Sequence, residues 1–205
     1  CVALVSPKLV IVEPDLEGNL AASESPLWQT LEIGPEYERL LQKQTSRQAP
    51  IAAEPEDGLV ILYTSGTTGL PKGAVISHRA MIARSLVFSS ELGIPPRDSF
   101  VAWAPMFHMA STDHSLSTLL RGGTVVMIDG FQAEPLLAAV ERHQIGWLVL
   151  IPGMVEALAA AMKAQATKVK GVRVCGAMAD LVPPHAIAEV TELLQSPYLN
   201  SFGST

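Results

Sequence analysis

The chain has 205 residues, of which 48% are hydrophobic and 17% are charged. That is enough apolar content for a hydrophobic core, and the charged share is below the roughly one quarter that is usual for a soluble domain, so much of the chain is buried or part of its surface faces other protein. The net charge of -6 argues against a basic nucleic-acid binder. It does not exclude nucleotides, because backbone N–H groups can hold phosphate.

The two cysteines and the most apolar stretch of the chain indicate the cellular compartment and whether the chain crosses a membrane. Cys1 and Cys175 are far apart and match no disulfide framework or zinc spacing, so we expect reduced thiols and a cytoplasmic protein. Residues 145–161 are the most apolar, but proline, glycine and glutamate interrupt them, and we expect no membrane span. No signal peptide is recognisable; since the chain opens without Met, this observation carries little weight.

Residues 1–57 predict a partial α/β segment followed by a linker. The apolar run Leu9–Val12 predicts a buried strand. Residues 14–34 carry Pro, Gly, Asn and Ser and predict a loop, and residues 35–41 predict a short helix with proline in its first turn. Residues 45–57 are polar and contain proline, which is typical of a linker.

Strands and helices alternate over residues 58–205, which we expect to form one subdomain. The predicted strands are 59–63, 74–76, 100–104, 124–128, 147–151, 172–175 and 198–199. The predicted helices are 78–92, 109–120, 135–143, 153–163 and 183–194. Ser77 is placed to cap the first of these helices. The alternation predicts an α/β fold, a layered and mainly parallel sheet with flanking helices.

The segment Tyr63–Gly73, YTSGTTGLPKG, joins the first two of these strands. Its three glycines allow backbone angles that let N–H groups converge on an anion, its hydroxyls add donors, and Lys72 adds a charge suited to phosphate. The composition predicts a polyphosphate cradle, with a flexible hairpin loop as the structural alternative. It is not a Walker A loop, because Pro71 and Gly73 stand where that motif requires Gly and Ser or Thr.

Every position of this segment matches the phosphate-loop signature of the adenylate-forming superfamily. The chain therefore resembles acyl-CoA and aryl-CoA ligases, luciferases and nonribosomal-peptide adenylation domains. The resemblance implies part of the large N-terminal domain of the acyl-CoA synthetase-like fold, with ATP and Mg²⁺ as cofactors and CoA as co-substrate. The residues implied at the triphosphate are Thr64, Ser65, Gly66, Thr67, Thr68, Gly69 and Lys72, the last with a catalytic role.

Pro105-Met106-Phe107-His108 follows a predicted strand and resembles the P-x-F-H element of acyl-CoA and aryl-CoA ligases. In that family the aromatic/His pair lines the acyl pocket near the reacting carboxylate, which implies a catalytic role for His108; alone, such a histidine is usually structural. Amino-acid-activating relatives tend to carry Asp in this region, so His108 favours an acid without an α-amine. His108, Asp113 and His114 match no standard metal spacing, and we expect a solvated helix face there.

Two later segments resemble the nucleotide site of the same family. A small-residue segment there forms a wall of the adenine and acyl pockets, which implies binding roles for Gly176, Ala177 and the bulkier Met178. The last six residues resemble N-x-Y-G-x-T-E, with Phe in place of the common Tyr. The residues implied at the nucleotide are Asn200, Phe202, Gly203 and Thr205, with Phe202 stacking on adenine and Thr205 catalytic and contacting phosphate and metal.

The resemblance covers most of residues 59–205 and implies a two-step reaction. A fatty or aryl acid attacks the α-phosphorus of ATP to give acyl-AMP and pyrophosphate, and a thiol, usually that of CoA, then takes the acyl group. Because full members are more than twice this length, the first hypothesis is a CoA-ligase fragment that is inactive alone. The second is a noncatalytic nucleotide-binding or interaction module. Either way we expect self-association through exposed apolar surface.

Overall fold

The structure, a computed structural model, describes residues 5–20, 28–46, 50–64, 72–176, 178 and 180–201, with Thr64 described by its backbone alone. Contacts group the chain into two units. Unit 1 comprises residues 1–54 and 63–74, and unit 2 comprises residues 55–62 and 75–205. The division at residue 57 that the sequence suggests stays a prediction.

Unit 1 contains a small parallel sheet and a helix. The elements are β1 (Leu9–Val12), a 3₁₀ helix (Pro14–Asn19), β2 (Gln29–Glu32) and α1 (Pro35–Gln42). The expectation of a loop throughout residues 14–34 is wrong, because β2 pairs with β1 along its whole length. The sequence Gln-Thr-Leu-Glu has no apolar run that would mark a strand. It becomes a strand by pairing with β1. The N–H of its first residue, Gln29, donates to the carbonyl of Lys8, the residue before β1, at 3.0 Å.

Two paired strands, β3 (Gly58–Thr64) and β4 (Lys72–Ser77), flank the glycine-rich segment. Ser77 ends β4 and caps α2 (His78–Glu91), since its hydroxyl accepts the N–H of Ala80 at 3.2 Å. The predicted cap is therefore confirmed, and α2 starts where its first orphan N–H groups find a side-chain acceptor.

Unit 2 is organised around a four-stranded parallel sheet. Its strands are β5 (Ser99–Ala102), β6 (Val125–Met127), β7 (Ile145–Leu148) and β8 (Val172–Cys175), in the order β6-β5-β7-β8. The helices that follow these strands are α3 (Met109–Leu120), α4 (Ala133–Arg142), α5 (Met154–Gln165) and α6 (Pro184–Leu194). The predicted α/β fold with a mainly parallel sheet and flanking helices is confirmed.

Apolar side chains cover both faces of this sheet. On one face, Val101 and its neighbours pack against α4, α5 and α6 in the larger buried cluster. On the other, Phe100, Ala102 and Val149 form a smaller cluster, and α3 contacts β5 and β6. Successive residues of β5 thus enter different clusters, as the alternation of a strand requires.

The strands β3 to β6 differ from their predicted bounds by one or two residues at each end, and two later strands differ more. β7 starts and ends earlier than the predicted 147–151. The predicted strand at 198–199 is reduced to one parallel bridge between Cys175 and Tyr198. The N–H of Cys175 donates to Pro197 and the N–H of Leu199 donates to Cys175, at 3.0 and 2.8 Å. Pro197 has no N–H of its own to extend the ladder.

In the part of the chain that the structure describes, no helix has both the length and the apolarity that a membrane crossing needs.

Candidate functional site

The carboxyl ends of β5, β7 and β8 meet at one edge of the sheet in unit 2. The chain leaves β5 toward His108 and leaves β8 through Gly176 and Met178. The bridge at Tyr198 leads to Asn200 in the same direction, because it is parallel to β8. Open parallel α/β sheets bind ligands at this edge. Four residues predicted from separate motifs therefore lie along a single edge of one sheet.

His108 is exposed and caps α3. The side-chain Nδ1 of His108 accepts the backbone N–H of Ala110 at 3.1 Å. The backbone N–H of His108 donates to the carbonyl of Pro105 at 2.9 Å. Because Nδ1 is an acceptor, the neutral ring carries its proton on Nε2. The cap thus selects one tautomer and leaves Nε2–H as the donor of the ring.

The segment that carries His108 is anchored by hydroxyl groups of α3. The Ser111 hydroxyl donates to the carbonyl of Ala104 at 2.6 Å, and the Thr112 hydroxyl donates to the carbonyl of Met106. Both side chains are buried. Sequence reasoning missed these residues, although the run of Ser and Thr in MASTDHSLSTLL is a signal that one face of α3 bonds to something other than solvent.

Gly176 occupies a position that only glycine fits. Its φ of +105° lies in the left-handed region, and a Cβ would lie 2.6 Å from the ring of Tyr198 and 2.8 Å from the carbonyl of Leu199. Its carbonyl accepts two hydrogen bonds, from Trp147 Nε1 at 3.0 Å and from the N–H of Leu150 at 3.4 Å. The backbone at the end of β8 is therefore fixed from both sides.

Large apolar side chains are exposed along the same edge. Phe107 is 79% exposed and Leu181 is 81% exposed, and Met106 and Met178 are also exposed. Two of these residues follow β5 and two follow β8. Exposed apolar groups at a ligand-binding edge indicate a surface that takes an apolar ligand or packs on other protein.

Asp113 contradicts the expectation of a solvated helix face. It is 7% exposed and forms an ion pair with Arg84 of α2. Burial raises the pKa of Asp113, and the Arg84 guanidinium opposes that rise. The expectation failed because α3 packs on both β5 and α2, which encloses the polar side of the helix.

His114 is also enclosed. Its ring lies 4.4 Å from Phe88, 5.3 Å from Phe100 and 4.7 Å from Trp147, measured between ring centroids. Burial lowers the pKa of His114 to about 4, and the charge of Arg84 contributes. His114 is therefore neutral at pH 7. Within the described residues, no group of three or more His, Cys, Asp or Glu side chains could hold a metal ion.

Cys175 immediately precedes Gly176 and is fully buried. Burial raises the pKa of its thiol to about 11. A thiol that stays protonated at pH 7 is a poor nucleophile, so Cys175 is a packing residue at this edge.

The structure describes only the ends of the predicted phosphate loop. Thr64 is the last residue of β3, and Lys72 is the first residue of β4 and is exposed. The predicted triphosphate residues Ser65, Gly66, Thr67, Thr68 and Gly69 lie outside the described residues, as do Ala177, Phe202, Gly203 and Thr205. What the structure brings together is a pair of adjacent strands that carry the two ends of the loop.

Comparison with known proteins agrees with this arrangement. Residues 1–205 match the family model described as AMP-binding enzyme. The chain is 32% identical over 174 residues to an indoleacetate–CoA ligase of Aromatoleum aromaticum, covering 82% of this chain and 33% of that protein. It is 30% identical over 166 residues to the probable CoA ligase CCL5 of Humulus lupulus, covering 74% of this chain and 30% of that protein.

Solved structures give the fold. The N-terminal domain of FACL13 from Mycobacterium tuberculosis matches with a TM-score of 0.84 at 20% identity, over 99% of this chain and 52% of that one. ATP-bound MatB from Rhodopseudomonas palustris matches with a TM-score of 0.73 at 21% identity, over 97% and 41%. The fold is thus the α/β fold of acyl-CoA synthetase N-terminal domains.

The chain belongs to the AMP-binding enzyme family, because that family model matches its whole length. This confirms the resemblance to adenylate-forming enzymes. The chain spans about a third of the length of the curated relatives it matches.

Proposed function

We propose that this chain belongs to an enzyme that activates a carboxylic acid with ATP and passes the acyl group to CoA. The observation that carries the proposal is the Tyr63–Gly73 segment, a complete phosphate-loop sequence whose ends lie on two paired strands. The curated relatives support it, since those named above are CoA ligases.

The first step is catalysed by positioning and electrostatics. A carboxylate oxygen forms a bond to the α-phosphorus of ATP, and the bond from that phosphorus to the pyrophosphate oxygen breaks. Negative charge grows on the departing pyrophosphate, and the loop N–H groups, the hydroxyls from Thr64 to Thr68 and the Lys72 ammonium offset it. Mg²⁺, when bound, neutralises phosphate charge, and Thr205 is the residue proposed to hold it.

The nucleotide base lies at the carboxyl edge of unit 2 in this proposal. Phe202 stacks on adenine, and Asn200, Gly203 and the segment Gly176–Met178 surround it. The capped ring of His108 supports the acyl side of the proposal, because its Nε2–H is available to donate to the carboxylate oxygen. In the second step the CoA thiol attacks the acyl carbon and AMP leaves.

The exposed apolar residues favour an apolar acid. Phe107 and Met178 flank the edge from two different strands, and both are exposed. A fatty or aryl acid would bury them. An amino acid would need a carboxylate partner for its amine, and His108 does not provide one.

The alternative is a noncatalytic nucleotide-binding or interaction module, which the exposed apolar side chains of Leu86 and Val87 on α2 favour. We expect the purified 205-residue chain to show no adenylation activity by itself. Carboxylate-dependent exchange of pyrophosphate into ATP by the purified chain would contradict that expectation.

The proposal is tested by calorimetric titration of the chain with Mg-ATP. We expect saturable binding, weakened about tenfold in Lys72→Ala and in Thr67→Ala, because each removes a phosphate contact. Lys168→Ala is the matched control, since Lys168 is an exposed lysine that lies outside the loop and precedes β8. Equal affinities for wild type, Lys72→Ala and Lys168→Ala would exclude the loop as the phosphate site.

A further inference from the structure

The indole of Trp147 packs inside unit 2 and donates a hydrogen bond at the carboxyl edge of its sheet. Trp147 lies in β7, and its Nε1–H donates to the carbonyl of Gly176 at 3.0 Å. The N–H of Leu150 reaches the same carbonyl at 3.4 Å, a longer and weaker bond. The indole is therefore the stronger of the two donors that hold this carbonyl.

The indole is itself held in place by two helices. Phe88 of α2 stacks on it with centroids 4.6 Å apart and planes at 19°. His114 of α3 meets it edge-on at 4.7 Å and 61°. These are favourable geometries for aromatic pairs. Rotation of the indole away from Gly176 would break both contacts, so the direction of its N–H is set by packing.

A second indole makes the same kind of bond one strand away. Trp103 directly follows β5, and its Nε1–H donates to the carbonyl of Val149 at 2.9 Å. Val149 is the first residue after β7, and Gly176 is the first residue after β8. In each case an indole holds the first carbonyl beyond the neighbouring strand. The carboxyl edge is thus tied together by two tryptophan donors.

We propose that Trp147 is a positioning residue of the candidate nucleotide site, which holds Gly176, and through it Met178, in the wall of the pocket. The proposal rests on the function proposed above. Trp147 acts through Gly176 and does not touch the nucleotide. Loss of its N–H would leave the Gly176 carbonyl held by the weaker bond from Leu150 alone, and it would remove no residue of the phosphate loop.

The first test follows Met178 by NMR of ¹³C-methyl methionine. Trp147→Phe keeps an aromatic ring against Phe88 and removes the donor, and we expect the Met178 methyl resonance to shift. Trp28→Phe is the control, because among the described residues Trp28 Nε1 has no hydrogen-bond partner; it should leave the resonance in place. An unchanged Met178 resonance in Trp147→Phe would overturn the proposal.

The second test compares two ligands that divide the site. We expect Trp147→Phe to weaken AMP binding about five- to tenfold, the effect of one neutral hydrogen bond, and to leave tripolyphosphate binding within about twofold of wild type. Equal weakening of both ligands would indicate general damage, and no weakening of either would show that the bond does not position the wall; each overturns the proposal.

Two provisions keep the outcome decisive. If Trp147→Phe does not fold, Phe88→Leu replaces it as the test variant. This substitution removes the ring that stacks on the indole and keeps the indole N–H. The Met178 resonance and the AMP affinity should then change in the same direction as expected for Trp147→Phe, but by a smaller amount. If the wild-type chain binds neither ligand, the proposed function fails, and the Met178 resonance alone decides whether Trp147 positions this segment.

Discussion

At the scale of single residues, the carboxyl edge of the sheet in unit 2 is built from backbone groups held by side chains from neighbouring elements. His108 is oriented by its own helix, because Nδ1 accepts the N–H of Ala110. Gly176 is oriented by Trp147 from β7 and enclosed by Tyr198. The proposed chemistry thus depends on His108 and Gly176, and contacts with neighbouring groups, rather than charge, restrict which residue can stand at each position.

Gly176→Ala should destabilise the protein by about 3 kcal/mol, from the strain of a positive φ and the clash with Tyr198 and Leu199. Gly153→Ala is the matched control. Gly153 also has a positive φ, of +84°, but nothing lies within 4 Å of its added Cβ, so it should cost only about 1 kcal/mol. Urea denaturation measures both. Equal losses would mean that the Tyr198 contact is unimportant.

The buried His114 makes stability depend on pH. Its folded pKa of about 4 lies below the ordinary 6.5, so the unfolded chain binds more protons between these values and stability falls as pH falls through this window. Between pH 7 and pH 5 the loss from His114 should be about 2 kcal/mol. The raised pKa of Asp113 acts in the opposite direction, so the comparison must isolate His114.

His114→Phe keeps a ring among its aromatic neighbours and removes the titration. Its free energy of unfolding should therefore fall less than that of wild type between pH 7 and pH 5, when both are measured by urea denaturation. Arg84 and Asp113 are present in both proteins and cancel in the difference. Parallel pH profiles for the two proteins would contradict the assignment.

At the scale of elements, hydrophobic runs and caps predict most of this fold. β1 and β8 lie where their apolar residues predict them, and Ser77 begins α2 as a side-chain cap should. β2 could not be predicted, because its strand character comes from pairing with β1. The enclosed polar side of α3 was likewise misjudged, since periodicity does not say which neighbour a polar face meets.

The same limit explains which candidate site residues could be named from the sequence. His108 and Gly176 stand in local motifs, so their positions could be recognised from order along the chain. Trp147, Ser111 and Thr112 act through contacts with residues several to many positions away. Those contacts exist only once the strands and α3 are packed. The run of Ser and Thr in α3 signals that this face is hydrogen-bonded but does not identify the partners.

Ser111→Ala tests the anchoring of the segment that carries His108. It removes the hydroxyl that donates to the partly buried carbonyl of Ala104, which should cost about 1 kcal/mol in urea denaturation. Ser115→Ala on the same helix is the control. Ser115 is equally buried, and its hydroxyl donates to the sulfur of Met106 at 3.7 Å, a long and weak bond, so its loss should cost less. A larger cost for Ser115→Ala would contradict the anchoring role.

At the scale of the whole molecule, exposed apolar side chains are the feature that bears on self-association. Leu86 and Val87 of α2 are 63% and 55% exposed, and Ile82 is also exposed. Such a surface favours association with other protein. The low charged share of the sequence, 17%, points the same way.

We therefore expect the purified chain to self-associate. Static light scattering should give a mass that exceeds the monomer and rises with concentration, and Leu86→Glu should lower it. Ile51→Glu is the control, because Ile51 is exposed but lies outside α2. The substitution adds the same negative charge as Leu86→Glu. A monomeric mass at every concentration would contradict the expectation.

The central claim is that the main-chain N–H groups of residues 65–70, together with Lys72, hold the triphosphate of a nucleotide. A ¹H–¹⁵N NMR titration of the labelled chain with Mg-ATP reads those amides directly. We expect the largest shift changes within residues 64–73, with smaller ones near Gly176 and Asn200. Saturating changes confined to other residues, with the amides of 64–73 unmoved, would contradict it.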